Sequence, residues 1–306
     1  MRFLVRAFVC AACIVATVLG SSALPASAAT SPIMVAAGDI ACAPGSATTS
    51  TTCQQRNTAS LIGTLDPNYV LALGDLAYPA GSQPAFDNSY GPSWGEFKSI
   101  TKPVPGNHEY GTAGAAGYFG YFGWRATPLQ PTCTSNCKGY YSFSTGSWHV
   151  VALNTRCSET TDSCVDFTSQ AAWLDQDLTA HPARCTLAYM HNPLFSGGFG
   201  ATPEVKVLWD VLQKHHADLV ITGHAHNYQR FVAQTPGGTA SATGITEIIA
   251  GTGGDSLQTL TTTTNEVAHI NHSFGVVRLA LNAGGWTSKF VSTSGLSFDP
   301  ASGTCH

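Results

Sequence analysis

Five short blocks of this sequence bring together side chains that can do chemistry: Gly38-Asp39-Ile40, Gly74-Asp75-Leu76-Ala77-Tyr78, Gly106-Asn107-His108-Glu109, Met190-His191-Asn192-Pro193 and Gly223-His224-Ala225-His226. Their donors are carboxylates, an amide, imidazoles and a phenol, the hard and borderline ligands that suit iron, manganese or zinc. No block decides the matter alone. A Gly-Asp after a strand is usually a turn, Tyr78 beside Pro79 can be a packed aromatic, Asn107-His108 reads as a loop, and His191 reads as a hydrogen-bonded strand end. The histidines at 224 and 226 weigh more, because two imidazoles one residue apart seldom have a packing rationale. Occurrence of all five in one order, mostly at strand ends, points to a metal site.

Positioning these blocks requires strands that end together. Residues 33–37, 69–73, 186–190 and 219–222 are short apolar runs, each leading into a block, and are predicted to be buried strands. Side chains just beyond the ends of parallel strands converge on one crevice. The Asn107 block has only a weak run before it. A glycine opens four of the five blocks, letting the chain turn sharply and approach the site closely. Residues 169–180 and 204–216 have helical periodicity, with Trp173, Leu174 and Leu178, then Val207, Leu208, Val211 and Leu212, toward the core. Hairpins are predicted for 140–143 with 148–154 and for 275–281 with 287–291. Residues 44–52, 235–243 and 256–265 have loop composition, and none is long enough to divide domains. This mixture suggests an α/β core with added antiparallel strands.

In order and spacing the five blocks resemble the calcineurin-like metallophosphoesterase superfamily, over residues 33–230. Tyr78 in Gly-Asp-x-x-Tyr, and the run Gly-His-Ala-His-Asn-Tyr-Gln-Arg at 223–230, resemble its purple acid phosphatase branch. The resemblance implies a four-layer αββα sandwich with mixed sheets and a dinuclear centre at the sheet ends. It implies that Asp39, Asp75, Tyr78 and His226 hold Fe(III). Asp75, Asn107, His191 and His224 would hold divalent iron, zinc or manganese, with Asp75 bridging. Two cations about 3.5–4 Å apart can clamp a phosphate and acidify water. By the same resemblance His108 protonates the leaving alkoxide, and Glu109 either orients it or is a capping or surface carboxylate. The expected reaction is hydrolysis of small phosphate monoesters. Phosphodiester or phospholipase-type hydrolysis on the same centre is the alternative, as is a catalytically silent extracellular binding module; the complete set of donors counts against the last.

The sequence also departs from that branch. Residues 192–199 contain no histidine where substrate-contacting ones are usual, and Gln229 stands where glutamate is usual. Phe195, Phe199 and Tyr228 either line an apolar substrate wall or pack internally. By length, the additional N-terminal β-domain of large plant members is not expected in these residues. His149, His215, His216, His269 and His272 read as structural, with His269 and His272, in a late loop, the candidates for the crevice rim. The Gly-rich residues 251–254 form a turn or bring N–H groups to phosphate.

Arg2 and Arg6, an apolar run over residues 7–19 and Ala26-Ser27-Ala28 have the pattern of a secretory signal peptide, residues 1–28. A single catalytic domain, 29–306, would follow and be secreted. The apolar run is too short for a membrane span of about 20 residues, and no later segment approaches one. With 14 Lys+Arg against 18 Asp+Glu and no basic cluster, no nucleic-acid-binding surface is expected; oligomeric state is left open. The eight cysteines after residue 28 suit an exported, disulfide-bonded chain. Spacing favours three local bridges, Cys42–Cys53, Cys133–Cys137 and Cys157–Cys164, out of about 105 possible pairings; Cys185–Cys305 would then tie the C-terminus back to the core, and a zinc site at Cys133 and Cys137 lacks a partner pair.

Overall fold

Along β1 (Ile33–Ala37) and β2 (Tyr69–Leu73), the two-residue period of a strand sends alternate apolar side chains to opposite faces. Met34, Ala36, Leu71 and Leu73 enter one buried cluster, while Val35, Ala37, Val70 and Ala72 enter another. These runs are apolar throughout because both faces are covered. The same alternation recurs in β5 (Trp148–Ala152), β6 (Cys185–Tyr189) and β7 (Leu219–Thr222). There Val150, Leu187 and Leu219 share the first cluster, and Val151, Ala188 and Val220 enter a third.

The computed structural model describes residues 31–155 and 167–306, together with Leu4. The expected signal segment, Leu4 apart, and the expected Cys157–Cys164 bridge lie outside the described residues. One sheet adds β3 (Thr101–Val104), β11 (Gly275–Asn282), β12 (Gly285–Ser292) and β13 (Ser297–Thr304), in the order β13-β12-β11-β1-β2-β3. The other adds β4 (Tyr141–Thr145), β8 (Tyr228–Phe231), β9 (Thr246–Ala250) and β10 (Glu266–Ile270), in the order β10-β8-β9-β7-β6-β5-β4. Both sheets are mixed. β1, β2 and β3 run parallel, as do β5, β6, β7 and β9.

The shared cluster lies between the sheets. Ala59 and Ile62 of α1 (Gln55–Leu65) pack on the outer face of the first sheet. Beside them is an aromatic segment that includes α2 (Gln83–Ala85) and α3 (Ala116–Phe122), where Phe86, Tyr90, Tyr118 and Phe122 pack ring against ring. Leu174 and Leu178 of α4 (Thr168–Ala180) and Leu208 and Leu212 of α5 (Lys206–Lys214) cover the second sheet. The result is the expected four-layer αββα sandwich with mixed sheets.

Two details differ from expectation. The weak run before Asn107 is a full strand, β3, whose Pro103 is tolerated because β3 is the sheet edge. His269 lies in strand β10, not in a loop, and its Nδ1 pairs with Glu266 at 2.7 Å. Both expected hairpins form, as β4–β5 and β11–β12. Three expected disulfides are present: Cys42–Cys53, Cys133–Cys137 and Cys185–Cys305. The last ties the segment after β13 to β6, closing a loop of 120 residues, worth about 4–5 kcal/mol by chain entropy. Among the described residues no helix is long and apolar enough to cross a membrane.

Candidate metal centre

The parallel strands are level with one another, Ala37 opposite Ala72 and Leu73 opposite Val104, so the blocks that follow them emerge at one edge. Asp39 and Asp75 leave their strands with φ of 60° and 51°, and His224 with φ of 68°. Left-handed backbone is uncommon outside glycine, and Asp and His are among the residues that tolerate it best. The turn re-aims each side chain into the crevice. Two glycines are required by close approach. A Cβ at Gly74 would stand 2.6 Å from His191 Nδ1, and one at Gly106 would stand 2.2 Å from Asp75 Oδ1.

Two groups of donor atoms result, and they share one oxygen. In the first, Tyr78 Oη lies 3.0 Å from His226 Nε2, 3.2 Å from Asp39 Oδ1 and 3.4 Å from Asp75 Oδ2. In the second, His191 Nε2 lies 3.3 Å from Asp75 Oδ2, 3.2 Å from Asn107 Oδ1 and 3.2 Å from His224 Nδ1. Atoms bound to one ion at about 2.0–2.2 Å sit roughly 3–3.5 Å from each other. All seven candidate donors are thus gathered at distances that fit two cations, with Asp75 Oδ2 common to both groups.

The surroundings fix the imidazoles for that task. His191 Nδ1 donates to the Leu73 carbonyl at 2.8 Å, which turns Nε2 toward the crevice. His226 Nδ1 faces Ser256 Oγ at 3.0 Å, and Ser256 donates to Asp255 Oδ2 at 2.9 Å. Backing of this kind sets tautomer and orientation in metal-bound histidines. The charges agree. Burial alone would raise the Asp75 carboxyl, but His191 and then His108 hold it well below the usual carboxylate range. Burial opposes protonation of His191, yet Asp75 outweighs it and lifts the imidazole to about 9. Burial, then Asp39 and Asp75, push the Tyr78 phenol far above its ordinary value. A phenol between two carboxylates would ionise only beside a cation, and the gathered carboxylate, amide, imidazole and phenol donors are those that suit iron, manganese or zinc.

His108 and Glu109 have separate tasks, and Glu109 follows the capping alternative rather than the orienting one. His108 Nδ1 donates to the Pro79 carbonyl at 2.5 Å, its ring lies 4.3 Å from that of Tyr78, and Nε2 reaches 3.8 Å from Asp75 Oδ2. Glu109 does not orient that ring. Fully buried, it accepts the N–H groups of Asp75 at 2.8 Å, Leu76 at 2.8 Å and Gly106 at 2.7 Å. It ties the second and third blocks together by their backbones. Burial, then the charge of Asp75, raise its carboxyl to about 7.

Sequence reasoning missed Asp255 and Ser256, which stand behind His226; the Gly-rich turn before them was the available clue. Residues 251–254 form that turn, with Gly253 N–H bonded to the Gly38 carbonyl. A second His/Asp group, His149, Asp177 and His181, has ligand atoms within 4.8 Å of one another, but its two imidazoles stack 5.1 Å apart and 13° from parallel. His149 Nε2 instead bonds Asp177 at 2.7 Å, joining β5 to α4. His215 likewise bonds Asp175 at 2.6 Å.

The sequence profile of the calcineurin-like phosphoesterase family matches residues 35–228. With this fold and these five blocks, the chain belongs to the calcineurin-like phosphoesterase family. Within it the chain resembles the purple acid phosphatases. It is 28% identical over 200 residues to purple acid phosphatase 23 of Arabidopsis thaliana, a match covering 54% of this chain and 42% of the plant protein. The chain therefore spans less than half the length of that curated relative. The purple acid phosphatase PPD1 from yellow lupin (Lupinus luteus) seeds superposes with a TM-score of 0.65 at 21% identity, over 89% of this chain and 53% of that one. GAP50, the anchor in the inner membrane complex of Plasmodium, superposes with a TM-score of 0.64 at 16% identity, over 90% of each. At these identities the structural likeness is one of fold.

Proposed function

We propose that this chain is a secreted hydrolase of small phosphate monoesters that works with two metal ions, and that residues 29–306 form one catalytic domain. The observation that supports it most is the position of Asp75 Oδ2 in two donor groups at once. Asp39, Asp75, Tyr78 and His226 would hold a ferric ion, which an anionic phenolate favours. Asp75, Asn107, His191 and His224 would hold divalent iron, zinc or manganese. When bound, such ions supply charge stabilisation for the phosphoryl group and a water acidic enough to attack near neutral pH.

The chain's own residues do the rest. His108, with Nδ1 tied to Pro79, directs Nε2 at the crevice and gives its proton to the leaving oxygen as the P–O ester bond breaks. Its backbone N–H holds Asp75 Oδ1 at 2.8 Å, so the proton donor and the shared carboxylate move as one unit. The signal-like N-terminus and the disulfides support export.

The purified protein should hydrolyse an aryl phosphate monoester faster than the corresponding diester. Chelation should abolish turnover, and iron with zinc should restore it. Faster diester turnover would replace the monoester reading. Metal and phosphate binding without turnover of any ester would make the chain a binding module on an enzyme's fold, and GAP50 shows an anchor with such a fold.

A further inference from the structure

Three aromatic residues near the crevice stand in different situations. Phe195 is committed to packing, its ring 5.6 Å from Trp209 and 6.3 Å from Phe231. Tyr228 is buried, its ring lies 5.2 Å from that of Phe290 at a tilt of 41°, and it donates to Asp299 at 2.7 Å. Phe199 is 62% exposed, and its ring centroid lies 5.4 Å from that of His224, tilted by 43°.

A single exposed phenylalanine is ordinary. What distinguishes Phe199 is the construction beneath its loop. Glu247, fully buried, accepts the N–H groups of Leu194 and Phe195 at 3.1 Å each. Gln229, also fully buried, accepts the Gly197 N–H at 2.7 Å and donates to Asn227 Oδ1 at 2.7 Å and Ser196 Oγ at 3.2 Å. Ser196 Oγ in turn donates a hydrogen bond to the Phe199 carbonyl at 2.7 Å. An ionised glutamate at 229 would accept from Gly197 but could donate to neither Asn227 nor Ser196. The glutamine at 229 and the histidine-free loop at 192–199 are thus one feature: the amide shapes the loop that sets Phe199 against His224.

We propose that Phe199 is a specificity-determining platform that selects phosphate esters whose leaving group is a flat aromatic ring. This rests on the phosphoesterase reading, which puts the phosphoryl group at the donors that include His224. The ester substituent must then extend outward, and Phe199 is the exposed ring beside that imidazole. Favourable aromatic pairing is worth about 0.5–1.5 kcal/mol beyond the area covered, or up to about ten-fold in affinity.

The test compares phenylphosphonate with methylphosphonate, non-hydrolysable and both monoanions at mildly acidic pH, by calorimetry on the metal-loaded protein under that condition. Phenyl phosphate and glycerol phosphate are followed in parallel as substrates. Wild type should bind phenylphosphonate about ten-fold more tightly and favour phenyl phosphate in KM. Phe199→Ala should lose both preferences with methylphosphonate affinity unchanged, and Phe199→Tyr should keep them. Equal binding of the two phosphonates to wild type, or an aryl preference that survives Phe199→Ala, overturns the platform even with turnover intact. An aryl preference without turnover of either ester supports the platform and removes the catalytic reading. Binding of neither phosphonate overturns both.

Discussion

Glu109→Gln separates a backbone clamp from an acid-orienting role. Glu109 Oε2 accepts from Asp75 and Gly106, and Oε1 accepts from Leu76 at 2.8 Å and Ala77 at 3.3 Å. Glutamine has nearly the same shape, but in either orientation its NH2 faces two of these N–H groups. Each buried donor left without an acceptor costs about 1–3 kcal/mol, so the pair costs roughly 2–6 kcal/mol. Burial and Asp75 already raise the carboxyl to about 7, and removing that unfavourable charge offsets part of the loss. A net destabilisation of up to about 3 kcal/mol remains. In a domain of this size it should lower the melting temperature by up to roughly 10 °C. The measurement is thermal unfolding of metal-stripped wild type and variant, followed by metal titration, in which the variant should bind more weakly. A melting point within about 2 °C of wild type, unchanged metal affinity and a turnover loss confined to esters with poor leaving groups would refute the clamp and restore the orienting role.

His108→Ala should slow alkyl esters by about 10²–10⁴-fold and activated aryl esters far less, with metal content unchanged; equal losses on both would count against the proton donor. Tyr78→Phe should abolish a visible phenolate-to-iron absorption band without loss of fold, and a colourless, fully active wild type holding zinc or manganese would refute a ferric site. Glu247 gives a pH test away from the proposed ligands. Burial lifts its carboxyl to about 8 against the loop N–H groups, so the folded state holds the proton more tightly than the unfolded chain does. That stability is fully present below about pH 4.5 and lost as pH rises through about 8. Glu247→Gln should therefore flatten the fall in melting temperature between pH 5 and 8, and an unchanged slope would contradict the assignment.

The candidate site was more legible than the scaffold around it. Metal-binding chemistry needs particular side chains, and strand ends present them at fixed places, so Asp39, Asp75, His191, His224 and His226 are visible as residue types after apolar runs. Helix α1 was not foreseen, because its Gln-Arg-Asn-Thr start lacks an apolar stripe and only Thr58, Ala59 and Ile62 are buried. The aromatic segment that includes α2 and α3 escaped for another reason: its helical pieces are only 3–7 residues long, too short for periodicity, and ring packing holds them. Strand β13 reads as Ser-Phe-Asp-Pro-Ala-Ser-Gly-Thr, which has loop composition, and it forms by pairing with β12 beside the Cys185–Cys305 bridge. The tasks of Glu109, Ser256 and Gln229 depend on contacts 30 or more residues away. No local pattern encodes such contacts.

Metal counting on three proteins tests the shared-carboxylate account most directly. Wild type, Asp75→Asn and Asn107→Ala would each be loaded with iron and zinc, desalted and analysed for metal per chain, with folding checked by circular dichroism. Asp75 Oδ2 belongs to both donor groups, whereas Asn107 Oδ1 belongs to one. Wild type should hold two ions, Asp75→Asn should release both, and Asn107→Ala should keep the one beside Tyr78. Two ions retained by folded Asp75→Asn, or a single ion in wild type, would contradict a centre built around that carboxylate.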